Sequence, residues 1–141
     1  MSSLVRNILA LLAGAIVSIV LIGLVQAAAH YVYPPPPGLD YNNPEVLKQI
    51  MMEAPVGALL MVLLSYFVGT FVGSWVAARL AADSPQRQAY LIGGMMLISG
   101  MMNLFAIPHP VWFWIGSVAV FVAAAWLGGK VGATRVPAVG K

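Results

Sequence analysis

The chain has 141 residues, of which 61% are hydrophobic and only 8% charged, with a formal net charge of +3 and a mean hydropathy of +0.91. Water-soluble domains carry about 25% charged residues, so this composition excludes one and leaves room for a single small membrane bundle. With no cysteine, disulfides, thiol redox chemistry and cysteine-ligated metals are excluded as well. The sequence pI of about 9.5 reflects basic residues gathered in short loops, so no nucleic-acid partner and no cofactor are expected.

Three stretches, 7–39, 54–78 and 88–129, contain no Asp, Glu, Lys or Arg. A hydrocarbon layer about 30 Å thick is crossed by about 20 apolar residues in helical form. The two shorter stretches therefore hold one crossing each. The longest holds two, divided at Ile107-Pro108-His109-Pro110. The expected fold is all-α: an integral membrane four-helix bundle with a short amphipathic extracytoplasmic helix, the whole chain 1–141 forming one transmembrane domain.

In chain order, the first span runs from about Leu4 to Tyr31. Arg6, an apolar run and Ala27-Ala28-Ala29 resemble a secretory signal, but the run from Ile8 to Val25 exceeds the 7–15 residues of a signal core. We read it as an uncleaved first helix. Pro34 to Pro37 end it and favour a polyproline II arm of roughly 12 Å, after which Gly38-Leu39-Asp40 turns the chain. Asn43-Pro44-Glu45 reads as an N-cap, a proline at the first helical position and an acid in the first turn. It opens a short helix over 44–53. Val46, Leu47, Ile50 and Met51 lie on one side of that helix, with Glu45, Lys48, Gln49 and Glu53 largely opposite. The pattern suits a helix lying on the outer membrane surface or capping the bundle.

The second span covers 55–81. Asp83-Ser84-Pro85 makes a tight turn in which Ser84 serves as a cap and Pro85 opens the third span, 86–106. The fourth span covers 110–130, followed by a Gly/Pro-containing tail.

Alternating crossings put Arg6, Arg79, Arg87, Lys130, Arg135 and Lys141 on one side, and Lys48 with Asp40, Glu45 and Glu53 on the other. Basic loops stay inside. Both termini are therefore expected in the cytoplasm, with the chain in the inner (plasma) membrane. Tyr31, Tyr33, Trp112 and Trp114 fall at the outer interface, and Trp75, Trp126 and Tyr90 near the inner one, where amphipathic rings prefer to sit.

Small residues recur every fourth position: Ala10, Gly14 and Ser18; Ser65, Gly69, Gly73 and Ala77; Ala124, Gly128 and Gly132. Such stripes let helices approach closely where lipid provides no hydrophobic drive to associate. Gly14, Gly69, Gly73 and Gly128 are thus the expected packing residues, either within the bundle or between subunits. The expected partners are membrane lipids and further protein, as a homo-oligomer or a larger membrane complex. Ser74-Trp75-Val76-Ala77-Ala78-Arg79 and Ala125-Trp126-Leu127-Gly128-Gly129-Lys130 read alike, which raises an internal duplication of two parallel hairpins.

Polar groups in the spans are the best pointers to function because they are expensive there. No deep position carries a formal charge, which weighs against a proton-coupled exporter. Gln26 and His30 share one helix face, as do Ser99 and Asn103, while His109 lies in the last turn and Glu53 at the mouth of the second span. Gln26, His30, Glu53, Asn103 and His109 form a candidate outer-face polar cluster. It reads either as a site for a headgroup, ion or metal, or as interfacial residues that share a leaflet. No HxxH or HxxxH spacing is present, so no metal site is assigned. Met95-Met96 and Met101-Met102 suggest soft-metal handling or, since adjacent pairs face different sides, plain packing. No catalytic residue is assigned; Glu53 with His109 is the one conceivable base–orienter pair.

The segments Tyr33-Pro34-Pro35-Pro36-Pro37-Gly38-Leu39-Asp40, Gly73-Ser74-Trp75-Val76-Ala77-Ala78-Arg79-Leu80 and Ile107-Pro108-His109-Pro110-Val111-Trp112-Phe113 together resemble a group of small, uncharacterised bacterial four-span inner-membrane proteins. The resemblance implies that location and brings no activity with it. Three readings follow: a non-catalytic structural or interaction subunit, a small oligomeric transporter or channel with an extracytoplasmic polar mouth, and a binder of metal or lipid headgroup at the outer face.

Overall fold

The computed structural model describes residues 1–134 and is built of helices alone among them; Arg135, Lys141 and the expected tail lie outside the described residues. The elements are α1 (Ser3–Val32), α2 (Pro44–Glu53), α3 (Val56–Leu80), α4 (Pro85–Ala106) and α5 (Val111–Ala133). All but α2 are long and apolar enough to cross a membrane, so this is a multi-pass membrane protein. Each span lies within three residues of the bounds expected from the uncharged stretches, and α2 matches 44–53. Ser2 and Asn43 cap their helices as side-chain acceptors, from the amides of Val5 (3.3 Å) and Glu45 (3.0 Å).

Ser84 departs from its expected role. It occupies the N-cap of α4 in the left-handed region, φ 45°, and its side chain makes no capping bond. A capping hydroxyl acts from an extended backbone, and although a residue before proline favours that conformation, Ser84 does not adopt it. Asn7 of α1 holds the turn instead: its Oδ1 accepts from the Ala82 amide (2.8 Å) and its Nδ2 donates to Asp83 Oδ1 (3.0 Å). Arg6 Nε donates to the carbonyl of Leu80 (2.8 Å), and Arg79 Nη1 to that of Thr134 (2.6 Å). Cations thus satisfy the orphan carbonyls at two helix C-termini, where the dipole also favours them.

Helix α3 is the axis. It packs on α1, α4 and α5; α5 also packs on α4, and α1 reaches α4 but not α5. The two hairpins, α1–α3 and α4–α5, are therefore not arranged symmetrically, as a simple duplication would require. The small-residue stripes of α1, α3 and α5 are all buried. A methyl group added at Gly73 would lie 2.5 Å from the carbonyl oxygen of Gly14 and against the Ser18 hydroxyl, and one at Gly69 would lie 2.7 Å from the carbonyl of Ser18. Gly14 is equally tight, 2.6 Å from the Gly73 carbonyl. On the other side of α3, a methyl group added at Gly128 would press on the Phe71 carbonyl and lie 3.0 Å from Ser74 Cβ. The Gly69–Gly73 motif therefore joins α1 to α3 within one chain.

Between these seams the core is aromatic and aliphatic: Tyr66 stacks on Phe121 at 4.8 Å and meets Phe113 at 6.5 Å, with Ile92 and Leu104 fully enclosed. Leu12, Ile16, Ile19 and Leu24 of α1 stay exposed, as a span in contact with lipid requires.

These seams set an expected hierarchy. Gly73→Ala should destabilise the folded chain by about 1–3 kcal/mol through overpacking, whereas Gly23→Ala, with nothing within 4 Å of the new methyl, should change stability by less than about 0.5 kcal/mol. Unfolding of both variants in mixed detergent micelles measures the difference.

Candidate functional site

The α2 end of the bundle holds a cavity of about 850 Å³. Its origin is the stiff arm that follows α1. Gly38 reverses the chain at φ 79°, the Tyr41 hydroxyl donates to the Pro36 carbonyl (3.0 Å), and the Asn43 amide donates to the Asp40 carbonyl (3.1 Å). These contacts direct α2 back across the bundle, yet none of its α-carbons comes within 8 Å of another helix. Met51 and Ala54 reach down to pack on the core. Helix α2 is thus a roof standing clear of the spans, with Val46, Ile50 and Met51 lining the space on its side and Leu59 and Val62 of α3 forming the opposite wall.

Gln26, His30, Glu53, Asn103 and His109 all line this one cavity. At its floor, Gln26 Nε2 donates to Ser65 Oγ (3.2 Å), which in turn donates to the Val62 carbonyl (2.6 Å). Because the Ser65 proton is committed to a carbonyl, its oxygen must accept, and this fixes the orientation of the Gln26 amide. Among the described residues, none donates to Gln26 Oε1. Beside it, Asn103 bonds to the Tyr66 hydroxyl at 3.3 Å.

His109 lies in the break between α4 and α5, 2.6 Å from the Ile107 carbonyl through Nδ1 and stacked on Phe113 at 4.8 Å. A carbonyl can only accept, so Nδ1 carries the proton and Nε2 of the neutral ring is an acceptor. Burial lowers its pKa from the usual histidine value, partly offset by the Ile107 hydrogen bond. Glu53 closes α2 and remains exposed, one carboxylate oxygen accepting from Gln49 Nε2 at 3.2 Å. His30 ends α1 at the exposed rim.

Several expectations separate here. Ser99 does not join the cluster: it is exposed and its hydroxyl donates back to the Met95 carbonyl (3.0 Å). Glu53 and His109 form no base–orienter pair, since their hydrogen bonds go to Gln49 and Ile107. Among the described residues, no three His, Asp or Glu side chains are grouped to hold a metal ion. The methionine pairs split between faces, with Met96 buried while Met95 and Met102 are exposed. The cavity ends at Gln26, Val62 and Asn103, above the stacked Tyr66 and Phe121. A smaller pocket of about 480 Å³ flanks the far side of α2, between Lys48 and Trp114, and shares His109 with the main cavity.

Sequence reasoning missed Gln49 and the wall formed by Tyr33 and the proline arm. Gln49 was within reach as the residue one helical turn before Glu53.

The buried ring gives the α2 end a pH response. Above about pH 6.5 His109 is neutral in the folded and unfolded chain alike. As pH falls below that, the unfolded chain takes up the proton first, so stability declines until pH passes the lowered folded-state pKa. Melting temperature in detergent should therefore fall between pH 7.5 and 5, and His109→Gln should flatten that part of the profile; identical profiles for the two proteins would contradict it.

No protein-family model, curated protein or solved structure matches the chain, and the functional reading rests on this geometry.

Proposed function

We propose that this chain is a non-catalytic protein of a bacterial inner membrane, with both termini in the cytoplasm, that binds an amphiphilic small molecule in the cavity beneath α2. The observation that carries this reading is convergence. Side chains from α1, α2, α4 and the α4–α5 break bring polar groups to one largely apolar chamber. Its volume falls within the roughly 300–1,000 Å³ of small-molecule sites, which join mostly apolar walls to a few placed polar groups.

Two other readings have less support. A transporter or channel needs a path onward, and deeper than Gln26 and Asn103 the bundle is filled by the buried, stacked Tyr66 and Phe121. A structural subunit would draw on close-packing surfaces, and the small-residue stripes already serve contacts inside the chain. The orientation is supported by Arg6, Arg79, Arg87 and Lys130 lying at the end opposite α2, where short basic loops stay cytoplasmic.

Both parts are testable. The chain has no native cysteine, so Gly38→Cys and Ser84→Cys can be labelled singly in intact cells. An impermeant maleimide should reach Gly38→Cys directly and Ser84→Cys only after permeabilisation; the reverse pattern would refute the orientation. Native mass spectrometry of the full chain should find an amphiphile bound to the wild-type protein and lost from Ala58→Trp, which fills the cavity. Equal retention by both would refute the site.

A further inference from the structure

The Gln26, Gln49 and Asn103 amides of the lining each donate a hydrogen bond within the protein, to Ser65, Glu53 and Tyr66, while three other polar groups there are acceptors. Gln26 Oε1 is an acceptor to which none of the described residues donates, its amide orientation fixed through Ser65 and Val62. His109 Nε2 is an acceptor because Nδ1 is committed to the Ile107 carbonyl. Glu53 brings an exposed carboxylate, one oxygen of which accepts from Gln49 Nε2. The remaining titratable groups of the lining are His30 and Tyr33, and no Lys or Arg is among the lining residues. Lys48, on α2, instead lines the smaller pocket on the far side of that helix.

We infer, building on the amphiphile-binding reading above, that the cavity selects a single-chain amphiphile with a primary ammonium head, in preference to an anionic or phosphorylated one. An ammonium presents three donors and no acceptor, which complements the Gln26, His109 and Glu53 acceptors. Glu53 supplies the opposite charge at the mouth, and the Tyr33 ring adds an aromatic face of the kind that attracts cations. A carboxylate or phosphate head would instead meet Glu53 with no guanidinium or ammonium in the lining to balance it. The chain of the amphiphile lies in the apolar part, between Ile50 and Met51 of the roof and Leu59 and Val62 of α3.

The test compares probes of one chain length, dodecylamine, dodecanol and dodecanoate, binding to the full protein in neutral detergent micelles at pH 7.5, followed by intrinsic tryptophan fluorescence. Dodecylamine should bind at least about tenfold more tightly than dodecanoate, a difference of about 1.4 kcal/mol. Glu53→Gln should remove most of that preference, weakening dodecylamine more than dodecanol, and Ala58→Trp should abolish binding of all three. If dodecanoate binds as well as the amine, or the preference survives Glu53→Gln, the head-group assignment is overturned while the cavity reading stands. If no probe binds the wild-type protein, or Ala58→Trp binds as the wild type does, both fall.

Discussion

The contact on which the rest of this protein depends is the direct meeting of the α1 and α3 backbones. Lipid is as apolar as a leucine side chain, so burying leucine between two spans gains little; what holds spans together is close packing and hydrogen bonding. Gly14, Ser18, Gly69 and Gly73 remove the side chains that would hold the helices apart, and each glycine there has backbone or serine atoms where a methyl group would stand. With α1 seated at that distance, Gln26 lies opposite Ser65 at one end and Asn7 reaches the α3–α4 turn at the other. Helix α3, gripped by α1 on one side and α5 on the other, leaves its Tyr66 ring nowhere to go but the axis of the bundle.

The α2 end is built on the opposite logic. Four consecutive prolines cannot join a helix, and the arm they form, closed by hydrogen bonds at Pro36 and Asp40, sets α2 down across the bundle without close backbone contact. Space remains because the roof is supported at Met51 and Ala54 rather than along its length. Polar groups such as His109, Glu53 and Gln26 are tolerated there because the chamber lies at the end of the spans rather than in their middle. A tightly packed body with an open, polar-edged end suits holding a molecule that is itself apolar at one end and polar at the other.

The span limits were legible in the sequence because they follow from charge alone: Arg6, Asp40, Glu53, Arg79, Arg87 and Lys130 bracket the uncharged stretches, and ionised side chains are excluded from lipid whatever the tertiary fold. The cap at Asn43 was legible because it is local. Ser84 was not, since its left-handed backbone runs against the extended bias of a residue that precedes proline. Helical spacing placed Gln26 and His30 on one face and they do share the cavity; the same spacing joined Ser99 to Asn103, but one turn of depth leaves Ser99 on the lipid-facing surface, bonded to its own helix. The stripes announced close packing without naming a partner, because a glycine face is the same whether it meets its own chain or another. The chamber itself left no pattern in the sequence, since its volume depends on the direction of the proline arm, which only the assembled bundle fixes.

The intrachain seam can be tested by cross-linking Ser18→Cys with Gly73→Cys. An ideal Cβ at Gly73 lies 3.0 Å from that of Ser18, and a disulfide needs about 3.5–4.5 Å, so a slight separation of the helices admits the bond. Oxidation of the double variant in native membranes should give a monomer with no free thiol. A disulfide-linked dimer, or two thiols that stay free, would contradict the packing on which this account rests.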